Sequence, residues 1–136
     1  MINWILPASV TLICWGVWGF IPKITTRYIT PVSAMIYETA GAAVVGLVAL
    51  SLVKFQPDIH IKGICLGIAT GILGLTGALG FLFAVKSGKV SVVAMFTSLS
   101  PLITITLGVL ILKEPLTLKE GLGILSAFIA IFFFTV

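Results

Sequence analysis

Five long apolar runs fill this chain, and only short polar stretches separate them. A helix that crosses a bilayer needs about 20 apolar residues. Five such helices with short turns use nearly all of the 136 residues. Hydrophobic residues make up 60% of the chain and charged residues 9%. A soluble domain carries roughly a quarter of its residues as charges, so a soluble bundle is excluded. No length remains for a cofactor domain or a long linker. The expected fold is all-α and integral to a membrane, with five transmembrane helices in a single domain over 1–136.

The helices are expected at roughly 4–21, 31–53, 59–86, 90–112 and 118–136. Pro22, Lys23 and Arg27 mark the exit of the first, with Trp4 and Tyr28 at the two interfaces. Thr30 caps the second, with Pro31 at its first position. Asp58 caps the third, and Gly88 stops it. The third is long, and a bend into a re-entrant pair would change the alternation of loops. Thr117 and Glu120 have the spacing of a capping box that opens the fifth. The first run lacks a basic start and a small-residue cleavage site, so it is expected to stay in the mature protein.

Alternating loops sort the basic residues into two equal groups. Lys54, Lys62, Lys113 and Lys119 fall on one side, and Lys23, Arg27, Lys86 and Lys89 on the other. A Lys/Arg bias towards the cytoplasm normally fixes orientation. Without one, the chain can insert both ways up and build an antiparallel homodimer, the arrangement that many transporters obtain from inverted repeats. Parallel pairing stays open. The net charge of +4 is spread singly through loops, with no basic stripe for nucleic acid. Those residues anchor helix ends at lipid headgroups.

Cys14 and Cys65 lie far apart inside apolar runs and read as small packing residues, not a disulfide or metal pair. His60 stands alone in a loop. There is no catalytic triad, metal cluster or phosphate loop, so neither an enzyme nor a cofactor protein is expected. Gly63, Gly67 and Gly71, then Gly74, Gly77 and Gly80, pattern the third helix. Such small residues let helices approach closely in lipid, either as tight packing or as a surface for sliding between states.

Glu38 is the acidic residue set well inside an apolar run, roughly 10 Å along the second helix. A charged carboxylate at the bilayer centre costs about 2.5–3.5 kcal/mol on insertion scales. A hydrogen bond from a neighbouring helix offsets that cost, or the group binds a cation or carries a proton. Trp15, Trp18 and Tyr37 are either packing residues or aromatic walls for a ligand. Thr97, Ser100, Pro101 and Thr104 share a face of the fourth helix. Their hydroxyls either bond back to their own helix or line a pathway beside the break at Pro101.

These residues carry a resemblance. Cys14-Trp15-Gly16-Val17-Trp18-Gly19-Phe20 followed by Lys23 is similar to the opening helix of EamA-type domains in the drug/metabolite transporter superfamily. Thr97-Ser98-Leu99-Ser100-Pro101 resembles the fourth helix of that domain, and Glu114-Pro115-Leu116-Thr117-Leu118-Lys119-Glu120-Gly121 its last connection. The likeness covers essentially the whole chain. It implies a secondary transporter, most members having two five-helix halves in opposite orientations where this chain has one. Small multidrug resistance proteins of the same superfamily place a key glutamate in helix one, whereas here the carboxylate is in helix two.

The expectation is a transporter of a small organic solute by alternating access, proton-coupled and resident in the inner or plasma membrane. Its partners would be lipid, a second copy of itself, the solute and protons. Glu38 would bind the cation or proton. Trp15, Trp18 and Tyr37 would form walls; Thr97, Ser100 and Thr104 would supply polar contacts; Pro101 would let helix four bend. The alternative is a non-transporting membrane subunit that pairs with another half-transporter chain.

Overall fold

A computed structural model describes residues 4–135, and the described chain is all helical. The order is α1 (Ile5–Tyr28), α2 (Pro31–Leu52), α3 (Ile61–Ser87), α4 (Val90–Thr97), α5 (Ser100–Ile111) and α6 (Leu118–Thr135). Among the described residues, Ile5–Tyr28, Pro31–Leu52, Ile61–Ser87 and Val90–Ile111 are long and apolar enough to cross a membrane. The expected fifth run corresponds to α6, and its expected last residue, 136, lies outside the described residues. The helices fall into two compact units, α1–α3 and α4–α6.

In the first unit α1 runs past its expected end at Ile21 and reaches Tyr28. Pro22 cannot donate to the carbonyl one turn back, yet the helix survives. Beyond it, Thr26 donates back to the Pro22 carbonyl at 2.8 Å and Thr25 to that of Ile21 at 3.2 Å, ordinary hydroxyl back-bonds of a continuing helix. Lys23 and Arg27 therefore stand on the helix and not in a loop. The chain turns through Ile29 and Thr30 alone. Thr30 accepts from the Ser33 amide at 3.3 Å, with Pro31 next to it, as the sequence predicts.

Helix α3 is one continuous helix of 27 residues, with no re-entrant bend. Asp58 does not cap it. The His60 ring nitrogen Nδ1 accepts from the Gly63 amide at 3.3 Å, so His60 has a partner after all. Three residues is the spacing at which a side chain meets the first free amides of a helix, and Asp58 is too far upstream. Nor does Gly88 use a left-handed stop, for no described glycine has positive φ. Left-handed backbone occurs instead at Lys54 and Phe55 after α2, where the Phe55 amide reaches the Leu50 carbonyl at 3.0 Å.

Helix α3 packs on α1 and α2 through Ala78, Phe81, Leu82 and Val85, with Ala34 and the rings of Pro22 and Pro31 completing the buried set. These lie towards the C-terminal end of α1 and α3. The α3 glycines do not pack in this way: a Cβ added at Gly67, Gly71, Gly74, Gly77 or Gly80 meets open space. The contacts fall instead on the side chains of the last three turns. Cys14 and Cys65 are free and exposed, and so do not pack inside this unit either.

In the second unit the expected fourth helix is two helices joined by one tight turn at Ser98 and Leu99. Pro101 has no amide to give, and its ring crowds the preceding turn. The Leu99 amide goes to Phe96 at 3.2 Å and the Leu102 amide to Leu99 at 2.9 Å, each three residues back. Both linking residues keep right-handed dihedrals, so the chain retains a helical course. Helix α6 begins with the predicted box. The Glu120 carboxylate accepts from the Thr117 amide at 2.8 Å and hydroxyl at 2.7 Å, and the Glu120 amide donates to the Thr117 hydroxyl at 3.3 Å.

Candidate functional site

Glu38 lies on the inner face of α2, one turn beyond the buried Ala34 and two beyond the buried Pro31. That face turns towards α1 and α3, so the carboxylate is half-buried rather than pointed away. Trp18 stands one turn before the buried Pro22 on α1. Its indole N–H donates to the Oε1 of Glu38. The same ring lies against Phe81 of α3, with centroids 5.2 Å apart and planes at 32°. Three helices thus meet at this point, and an acid inside the apolar span has a neutral donor from a neighbouring helix.

A second bond fixes the frame. The Lys23 ammonium donates to the Val85 carbonyl at 2.6 Å. Val85 is fully buried, and its carbonyl belongs to the last turn of α3, where backbone acceptors lack intrahelical partners. Moving from Trp18 to Lys23 along α1 moves the partner from Phe81 to Val85 along α3. The two helices therefore run parallel, as two helices joined through a returning α2 must. Arg27, Thr30, Ser33 and Lys86 line a polar hollow at this end of the unit. Lys54 and Lys62 follow α2 and open α3, at the other end.

Trp15 and Tyr37 are exposed, at 72% and 69%. Of the four aromatic and acidic candidates in this unit, the structure joins Trp18 to Glu38. In the second unit the hydroxyls turn inward on their own helices. Thr97 donates to the carbonyls of Val93 and Ala94, at 3.0 and 3.1 Å, and Thr104 to that of Ser100 at 3.4 Å. Ser100 itself is exposed. Pro101 lines a groove of about 560 Å³ between α5 and α6, with Glu114 and Glu120 near its loop end and Ser98 also on its wall.

Phe81, Lys23 as a bridging donor, and Ser98 are the participants that sequence reasoning missed. Phe81 lies 63 residues from its partner Trp18, and no local pattern marks it. Lys23 carried a signal, because its neighbour Pro22 sits in an apolar context that a helix in lipid can run through.

Several apolar spans with a hydrogen-bonded acid on the inner face of one of them define an α-helical membrane protein with a polar point inside its apolar part. The profile of the EamA-like transporter family matches residues 2–136, and the chain belongs to that family. Among curated proteins, an uncharacterized protein of Methanocaldococcus jannaschii is 39% identical over 64 residues. That similarity covers 47% of this chain and 47% of the relative, about half the length of each. No solved structure matches the chain.

Proposed function

We propose that the chain is a secondary transporter of a small organic solute, driven by proton exchange and working as an antiparallel homodimer in the inner or plasma membrane. The observation that carries this reading is Glu38, a half-buried carboxylate on the inner face of an apolar span, held by the Trp18 indole. An acid retained at such a depth is by default a functional group. The family supports transport as the activity. The even count of basic residues at alternate helix ends and connections supports insertion in both orientations.

In this reading Glu38 alternately holds a proton and a cationic solute. Trp15 and Tyr37, exposed on the unit, supply aromatic surface to the path. Ser100 and the exposed side of the α4–α5 turn supply polar contacts, with Thr97 and Thr104 beside them. Pro101, which already divides that helix, allows it to bend. The test is uptake of radiolabelled organic cations, amino acids and nucleosides into proteoliposomes under a proton gradient. Glu38→Gln is expected to abolish gradient-driven uptake of whichever compound the wild type carries. Normal coupled uptake by that variant removes Glu38 from the mechanism.

A further inference from the structure

Three helix ends meet in one hollow of the α1–α3 unit. The last turn of α1 brings Arg27, the last turn of α3 brings Lys86, and the first turn of α2 brings Ser33. With Thr26, Tyr28 and Thr30 they line a space of about 430 Å³. Among the described residues, Arg27 and Lys86 form no hydrogen bond or ion pair. The Thr30 hydroxyl donates to the Ser33 Oγ at 3.0 Å. The Ser33 hydroxyl has no acceptor of its own among the described residues. No carboxylate lines the hollow. Glu38 lies more than a turn deeper in α2 and is held by Trp18. Asp58 belongs to the connection at the opposite end, between Lys54 and Lys62.

The hollow therefore offers donors and positive charge and no anion of its own to meet them. Two like charges around one space repel, and an anion between them turns that repulsion into attraction. The donors come from three helices and converge from different directions. A carboxylate presents its oxygens in one plane, whereas those of a phosphate point to the corners of a tetrahedron. A guanidinium grips two phosphate oxygens through parallel bonds, and an ammonium adds a point charge beside them. The exposed Tyr28 marks this end as the level where a spanning helix meets the headgroups. We infer that the hollow binds one phosphate group, carried by an anionic phospholipid headgroup or by a soluble phosphate. Such a site differs from general anchoring of basic residues at a surface, since it holds one anion per chain at named donors. It does not depend on Glu38. Headgroup phosphates line both leaflets, so the site is served in either orientation of the chain.

The experiment titrates phosphatidylglycerol into the full chain in mild detergent, with native mass spectrometry counting the lipids bound. Calorimetry follows inorganic phosphate added to the same lipid-free preparation. The wild type is expected to hold one phosphatidylglycerol per chain. Arg27→Gln and Lys86→Gln should each weaken it about fivefold, the order of effect of one basic residue near anionic headgroups. Both side chains are exposed, so these variants should keep the wild-type circular dichroism. Lys54→Gln combined with Lys62→Gln removes as much charge from the opposite end and should leave the affinity nearly unchanged. Binding of inorganic phosphate without retained lipid, weakened by the same two single variants, makes a soluble phosphate the occupant and upholds the site. Binding of neither ligand by the wild type overturns the inference. So does binding that Arg27→Gln and Lys86→Gln leave unmoved, or that the Lys54 and Lys62 pair weakens equally, since net charge and not the hollow would then decide it.

Discussion

At position 38 a carboxylate interrupts a helix that otherwise has no acidic residue between Pro31 and Leu52. The physical question is what compensates it, and the indole of Trp18 does so in part. Removing that donor leaves an acceptor short of a partner in an apolar setting. Hydrogen bonds between membrane helices contribute modestly, because the unfolded chain in lipid also finds partners. Trp18→Phe should therefore lower stability by about 1 kcal/mol, measured by thermal unfolding in detergent micelles. A larger loss is expected where α3 is sealed. Leu82 is 1% exposed, and Leu82→Ala should cost about 2 kcal/mol, through the cavity it leaves. At this scale the sequence marked Glu38 by charge alone, since an acid in an apolar run stands out without any partner being known. It did not reveal that Trp18 holds Glu38. The two are 20 residues apart, and only the packing of α1 on α2 brings them together.

Helix ends show where local sequence is sufficient and where it is not. Thr30 and the Thr117–Glu120 box act as the sequence predicts because each closes over three residues, a distance fixed by helix geometry. Thr117→Ala should cost about 1 kcal/mol of helix stability, read as earlier melting of the circular dichroism signal. Asp58 and Gly88 look equally suited to their tasks, yet His60 caps α3 and no described glycine makes a left-handed stop. At the start of α3 a competing neighbour, His60, lies closer to the true end than Asp58; Gly88 directly follows the last residue, Ser87, and still does not turn left-handed. Pro22 and Pro101 make the same point in opposite ways. The first is absorbed into a continuous α1, while the second divides α4 from α5. Around Pro22 the helix keeps its course and Thr25 and Thr26 bond back to it, whereas around Pro101 the amides of Leu99 and Leu102 shorten to three-residue bonds. Pro101→Ala should restore one helix from α4 through α5. The amide gained at position 101 should then resist hydrogen exchange, and rapid exchange there would show that another feature breaks the helix.

For the whole molecule, membrane residence was legible from apolar content alone, and family membership bears out the resemblance carried by the sequence motifs. Pairing with an inverted copy is the proposal that organises the rest. Its basis is the even count of basic residues over alternate connections of the sequence, Lys23, Arg27, Lys86 and Lys89 against Lys54, Lys62, Lys113 and Lys119; within the α1–α3 unit Lys23, Arg27 and Lys86 share one end, and Lys54 and Lys62 belong to the other. When neither end attracts the cytoplasmic leaflet more strongly, neither orientation is favoured. The most direct test replaces Cys14 and Cys65 and places one new cysteine at Gln56 or at Ser87, exposed positions at opposite ends of this unit. Intact cells are then treated with a membrane-impermeant maleimide. Labelling of both variants from outside, each to about half of its total, is expected of equal insertion in two orientations. Labelling of one variant to completion and of the other not at all would contradict the inverted pair.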